Sequence, residues 1–164
     1  MKRIYCRIEK CLSCRSCEIA CAVAHSESKR LPDAVGEVPL PKHRIHVESI
    51  DEEGSPHRIR AIAVQCRHCE DPLCAQACIS GGITRNTETG QVVSNPGRCV
   101  GCWSCIMVCP FGVIVRYEDC HQAVKCDHCP DRDCPACVEA CPTHALLYCE
   151  QEEAGIEELS EKIV

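Results

Sequence analysis

Sixteen of the twenty cysteines in this 164-residue chain fall into four quartets, and no other feature restricts its fold as strongly. The quartets are Cys11-x2-Cys14-x2-Cys17-x3-Cys21, Cys66-x2-Cys69-x4-Cys74-x3-Cys78, Cys99-x2-Cys102-x2-Cys105-x3-Cys109-Pro110 and Cys126-x2-Cys129-x7-Cys137-x3-Cys141-Pro142. One device repeated along a chain marks a repeated structural unit. With one Phe, one Trp and three Tyr, the chain is poor in the large side chains that fill an ordinary core. Metal sites or disulfides must therefore supply part of the missing stabilisation.

Disulfides belong to oxidising compartments, usually reached through an export signal. Here Met-Lys-Arg-Ile-Tyr-Cys6 runs directly into polar sequence and the first quartet, so the expectation is a cytoplasmic chain without an export signal. No run of apolar residues approaches the length of a membrane span. The formal charge of -6 argues against non-specific nucleic-acid binding, and acidic residues concentrate in 150–164. In a reducing compartment, cysteines so placed are metal ligands.

A cubane needs one thiolate on each of four irons, and three cysteines spaced by two residues reach three corners from one loop. The fourth comes from elsewhere: in the bacterial run Cys-x2-Cys-x2-Cys-x3-Cys-Pro the last cysteine ligates the other cluster of a pair. Zinc is the chief rival, because Cys-x2-Cys knuckles build tetrahedral sites. It leaves the third and fourth cysteines of each quartet without a role. Four [4Fe-4S] clusters are therefore expected.

The repeat extends beyond cysteine. Three quartets are followed by a three-residue turn and a small or branched plus aliphatic pair, Gly82-Ile83, Val113-Ile114 and Ala145-Leu146, which predicts a short strand leaving each site. Asn86–Gly90 and Tyr117–Cys120 read as turns, and 17–24 and 74–79 suit one or two helical turns. Residues 25–41, with Pro32, Gly36, Pro39 and Pro41, read as a surface loop; 43–50 and 57–65 read as a hairpin turning at 51–56. The acidic end is expected as a solvated tail or short amphipathic helix through Ile156, Leu159 and Ile163. The predicted class is α+β, with short β-hairpins and helical turns around the clusters.

On these motifs, with Cys11-Leu-Ser-Cys-Arg-Ser-Cys-Glu-Ile-Ala-Cys-Ala-Val-Ala-His25-Ser, Cys66-Arg-His-Cys-Glu-Asp-Pro-Leu-Cys74 and Cys126-Asp-His-Cys129, the chain from about Lys2 to Glu150 resembles a known family. These are the four-cluster ferredoxin-type electron-transfer subunits of multi-subunit oxidoreductases such as formate dehydrogenase and dimethyl sulfoxide reductase. Within the family it looks most like the small iron-sulfur subunit of carbon monoxide dehydrogenase. Spacing alone leaves the pairing of quartets open. The resemblance implies that the first pairs with the fourth and the second with the third. One cluster then takes Cys11, Cys14, Cys17 and Cys141, and its mate Cys126, Cys129, Cys137 and Cys21. A third takes Cys66, Cys69, Cys74 and Cys109, and the last Cys99, Cys102, Cys105 and Cys78.

The implied architecture is two tandem bacterial-ferredoxin-like lobes with pseudo-two-fold symmetry: 1–24 plus 118–150, and 66–117, with 25–65 inserted and 151–164 as the tail. Cys134 competes with Cys137, but only Cys137 stands three residues before Cys141-Pro142. The resemblance implies electron relay between a catalytic oxidoreductase, carbon monoxide dehydrogenase first, and an acceptor such as a flavoprotein, a hydrogenase or a quinone-linked module. Tungsten aldehyde oxidoreductase, formate dehydrogenase and hydrogenase are alternative partners, and a free polyferredoxin is an alternative role. The membrane-anchoring C-terminal segment of some members is not expected here.

Cys6, Cys120, Cys134 and Cys149 remain over and are expected as small buried hydrophobes, with Cys6 and Cys149 as possible neighbours. His68 and His128, in matching Cys-x-His-Cys positions, are expected beside cluster sulfur rather than on iron. Arg15, Arg67, Arg98 and Lys125 lie in or beside the motifs, where cations would offset roughly -2 of charge per oxidised cluster. No dinucleotide fingerprint, phosphate loop or nucleophile with a base is present, so no catalytic residue is expected.

Overall fold

The computed structural model describes residues 1–51 and 59–150. The turn expected at 51–56, apart from Asp51, and the acidic tail 151–164 lie outside them.

The chain alternates short strands with single helical turns. β1 (Arg3–Cys6) leads through a 3-10 turn into the first quartet and α1 (Ser16–Ala24), followed by α2 (Leu31–Ala34). β2 (Ile45–Asp51) and β3 (Ile59–Gln65) form the inserted hairpin. Then come α3 (Leu73–Gln76), β4 (Ile83–Arg85), β5 (Val92–Ser94), α4 (Ser104–Met107), β6 (Val115–Tyr117), β7 (Gln122–Val124), α5 (Ala136–Glu139) and β8 (Leu146–Cys149). The α+β expectation and the three strands leaving the quartets are borne out.

Every described strand belongs to a two-stranded antiparallel ribbon: β1 with β8, β2 with β3, β4 with β5 and β6 with β7. The β1–β8 ribbon pairs Arg3 with Cys149 and Cys6 with Leu146, bringing the two ends of the described chain together. That register corrects the idea of Cys6 and Cys149 as neighbours. They stand three positions apart along one ribbon, which sends their side chains to opposite faces. The β6–β7 pairing, Tyr117 opposite Gln122, crosses residues 117 and 118, where the sequence reading divides the chain.

Helix lengths follow from what succeeds each quartet. After Cys78, Cys109 and Cys141 the chain turns within three residues, because Gly81, Gly112 and His144 take left-handed conformations at φ 61°, 61° and 51°. Each donates its amide to the carbonyl of the preceding cysteine, at 3.1, 3.2 and 3.2 Å. Cys21 is followed by Ala-Val-Ala, which holds no Gly or Pro to stop a helix, and α1 spans nine residues. α3, α4 and α5 are four residues each, so the helix expected at 74–79 is shorter than its span.

Two apolar clusters result. The first joins Ile4, Leu146 and Val113 to the hairpin residues Ile45, Val47, Ala61 and Ala63 and to Cys17, Cys21, Cys66, Cys126 and Cys137. The second joins Ile83, Val92, Ile114 and Ala123 to Cys105. Ile45 and Val47 share a face at period two, and Val47 pairs with Ala63, so the insertion packs one side onto the cysteine core. The loop expected at 25–41 holds α2, with Val38 96% exposed.

Candidate metal centres

The quartet loops owe their curvature to one repeated backbone choice. The residue before the second cysteine is left-handed in all four: Ser13 (φ 56°), His68 (46°), Gly101 (67°) and His128 (62°). In the first and third loops the residue after it, Arg15 or Trp103, is left-handed as well. Reversals at these points curl each loop so that its thiols converge. At Gly101 only glycine serves, because a Cβ would stand 2.8 Å from the His121 carbonyl oxygen.

Three cavities are built from these loops, each closed by a cysteine from a different quartet. Cys11, Cys14 and Cys17 meet Cys141 in a small cavity floored by Val47, Ala63 and Leu146. Cys99, Cys102 and Cys105 meet Cys78 in a second. Cys66, Cys69 and Cys74 meet Cys109 in a third. The remaining cysteines, Cys126, Cys129 and Cys137, crowd Cys21: burial drives the Cys137 thiol far above its usual value, with Cys126, Cys21 and Cys129 adding to the effect. All four of these are buried.

Burial likewise pushes the thiols of Cys17 and Cys126 up to about 12 and that of Cys105 up to about 11. Dry thiols crowded this way stay protonated unless a metal takes the proton's place. The backbone is already aimed at the sulfurs. Gly82 donates to Cys78 Sγ and Arg44 to Cys21 Sγ, both at 3.2 Å, and Ala123 donates to Cys99 Sγ at 3.4 Å. Such bonds stabilise metal-bound sulfur and help set its potential.

Cys134 stands apart. Glu139 and Arg132 are its charged neighbours, and its carbonyl accepts from Arg132 Nε at 3.4 Å. The leftover cysteines are not the buried hydrophobes expected, since Cys6, Cys120, Cys134 and Cys149 are all partly exposed. Their positions on ribbon ends and loops leave one side open. Cys6 still lines the cavity of Cys11, and burial raises its thiol to about 11.

Sequence reasoning missed the polar bracket around Cys21. His25 donates from Nδ1 to the Cys21 carbonyl at 2.7 Å and from Nε2 to Asp127 at 3.1 Å, and Arg44 pairs with the same carboxylate. Burial opposes charge on His25, but its bonds to Asp127 and Cys21 hold its pKa up to about 9. Burial also raises Asp127, yet His25 and Arg44 outweigh it and hold the carboxyl well below its usual range. The partners lie 102 and 83 residues from Asp127, a separation no local pattern reveals.

His68 and His128 meet with ring centroids 4.0 Å apart, at 0% and 4% exposure. His68 Nδ1 accepts from the Val92 amide at 3.1 Å. Burial, then the Lys125 charge, depresses His68 to about 2 and His128 to about 4, so both rings are neutral. His68 Nε2 therefore carries the proton, and it has no hydrogen-bond partner among the described residues.

The model of the 4Fe-4S dicluster domain family matches residues 57–151. The chain belongs to that family. The iron-sulfur protein of Rhodospirillum rubrum is 42% identical over 160 residues, covering 87% of this chain and 79% of that protein. Electron transport protein HydN of Escherichia coli K12 is 37% identical over 171 residues, covering 92% and 88%. Thiosulfate reductase electron transfer subunit PhsB of Salmonella typhi is 31% identical over 157 residues, covering 91% and 76%. The dicluster-domain assignment agrees with the donor chemistry, in which all-thiol sets surround small cavities with amides directed at sulfur. The residues present fit [4Fe-4S] ligation, and a bound cluster would supply one-electron chemistry. Among the described residues no helix is long and apolar enough to cross a membrane.

Proposed function

We propose that this chain is the electron-wiring subunit of a larger oxidoreductase and holds four [4Fe-4S] clusters in crossed sets. The sets are Cys11, Cys14, Cys17 with Cys141; Cys126, Cys129, Cys137 with Cys21; Cys66, Cys69, Cys74 with Cys109; and Cys99, Cys102, Cys105 with Cys78. The observation that carries this reading is the convergence of three cysteines from one loop with the last cysteine of a distant quartet. Cys137 is taken over Cys134 because it is the buried one, packed against Cys126 and Cys21. The two-lobe division belongs to the same proposal: packing of α1 on α5 and of α3 on α4 supports it, and the β6–β7 hairpin falls to the second lobe.

Exposure supports a linear wire. Cys14 and Cys102 are the exposed cysteines, beside Leu12 at 70% and Val100 at 63% exposure, whereas the set on Cys126 is wholly buried. Electrons would enter and leave at the Cys14 and Cys102 ends and cross the middle between the sets of Cys126 and Cys66. Relatives named as an electron transport protein and an electron transfer subunit support a carrier role. The chain has no catalytic residue in this reading, and the cytoplasm is its compartment. Carbon monoxide dehydrogenase is the proposed catalytic partner, on the resemblance of the first, second and fourth loops, with a flavoprotein or hydrogenase as acceptor.

Anaerobic purification of the full chain tests the cluster proposal. A brown protein with about sixteen irons and as many sulfides per chain is expected; colourless, zinc-loaded material would overturn it. Co-purification with a nickel-iron carbon monoxide dehydrogenase is the expected partner result, and capture of a tungsten enzyme or hydrogenase in its place would reassign the partner.

A further inference from the structure

Of the cations Arg15, Arg67, Arg98 and Lys125 beside the cysteine motifs, one is different in kind. The Arg15 side chain is 62% exposed, Arg98 is exposed, and Arg67 lies over the Phe111 ring at 5.7 Å. Lys125 is 1% exposed, one of the most deeply buried large side chains in the described structure. A lysine is almost never fully buried unless paired. Among the described residues, however, Lys125 has no carboxylate partner; its Nζ donates only to two main-chain carbonyls, those of Val92 and, at 2.9 Å, Cys126. Carbonyl dipoles orient an ammonium but do not neutralise it, and removal of a charge from water is costly unless an opposite charge stands near.

The two carbonyls show where that charge must be. Val92 lines the cavity of Cys66, Cys69, Cys74 and Cys109, and Cys126 opens the set completed by Cys129, Cys137 and Cys21. Lys125 thus ties the wall of one thiol site to the backbone of another. His68, from the loop of the first site, holds the Val92 amide on the other side, and its ring nitrogen lies within 4.8 Å of Cys126 Sγ and of a His128 ring nitrogen. Among the described residues, His68 Nε2 and both ring nitrogens of His128 have no hydrogen-bond partner. The junction therefore holds a cation with no carboxylate partner and three imidazole nitrogens with no hydrogen-bond partner among the described residues.

We infer that Lys125 is a shared internal counter-ion for the two iron-sulfur sites that face each other across this junction, raising both reduction potentials relative to the outer pair. The inference rests on the four-cluster reading above. Net charge and hydrogen bonds near a cluster set its potential, and a fixed positive charge favours the more negative, reduced state. The two middle sites then accept electrons more readily than the ends, which holds charge at the crossing between loops from distant parts of the chain. Lys125 is a positioning and tuning residue and ligates nothing.

The test is an EPR-monitored redox titration of the full, cluster-loaded chain carrying Lys125→Met, Lys125→Gln or Lys125→Arg. Cys74→Ser and Cys129→Ser identify the signals of the two middle sites. The expected result is a shift of those two potentials to lower values in the Met and Gln variants, with the outer two unmoved and all four retained in Lys125→Arg. Unmoved potentials in fully loaded Met and Gln variants, or equal shifts at all four sites, would overturn the inference while leaving the four-cluster reading intact. Should the Met variant fail to load, iron retained by Lys125→Arg but lost by Lys125→Gln at the middle sites supports the charge requirement. Equal failure of all three gives the side chain a packing role and overturns it. A wild-type chain that binds no iron would overturn the function and this inference together.

Discussion

The position before the second cysteine of each quartet is left-handed whether it is Ser13, His68, Gly101 or His128. Non-glycine residues in that region cost roughly 1–2 kcal/mol each, a strain sustained only when surrounding bonds over-determine it. Gly101 is the position with least latitude. Gly101→Ala would add a backbone clash to the strain and is expected to cost about 2–3 kcal/mol, whereas Gly112→Ala, with nothing within 4 Å of the new Cβ, should cost about 1 kcal/mol. Anaerobic thermal bleaching of cluster absorbance measures the difference, and equal midpoints would contradict it. Cys137 and Cys134 make a second residue-scale pair. Cys137→Ser should lose or alter one cluster, and Cys134→Ser should leave iron content unchanged, as counted by elemental analysis. The gathering of thiols on tight loops was the most legible part of the sequence, because a cysteine's spacing directly limits which thiols one loop can bring together. Lys125 was legible only as a cation beside a motif. Its burial depends on Val92, 33 residues away, and composition alone places lysine at the surface.

At the scale of elements, the strands leaving the quartets were legible because a left-handed stop at Gly81, Gly112 or His144 reappears at a fixed offset from the last cysteine. α1 outlasts its counterparts for want of such a stop. The hairpin β2–β3 was legible as two packed strands, but which residues floor the first site was not, since that depends on which face meets Ile4 and Leu146. Ile45 is 1% exposed on that face, so Ile45→Ala should cost about 2–4 kcal/mol and loosen the site of Cys11 before the others. Chelator-driven iron loss, followed site by site, checks it. The Asp127 bracket joins α1, the Arg44 segment and the fourth loop across intervals no local pattern covers. Asp127→Asn removes charged bonds at a partly buried point, with an expected cost of about 1–2 kcal/mol. Salt should weaken the effect little, because the His25 side chain is only 12% exposed. Urea midpoints at low and high salt measure both.

For the whole molecule, an antiparallel ribbon between β1 and β8 closes the described chain on itself, and this lets the first quartet meet the last. The sequence left that pairing open on spacing, and the family resemblance implied the crossed arrangement. The cavity uniting Cys11, Cys14 and Cys17 with Cys141 supplies the physical reason, since β8 follows Cys141 directly and pairs with the strand preceding Cys11. Crossing of ligands between quartets is the central claim, and Cys141→Ser tests it most directly. Mössbauer and EPR spectra of the anaerobic variant are compared with those of Cys14→Ser and Cys129→Ser. Cys141→Ser is predicted to reproduce the damage of Cys14→Ser and to spare the cluster on Cys126, Cys129 and Cys137. Damage matching Cys129→Ser, with the cluster on Cys11, Cys14 and Cys17 intact, would contradict the account.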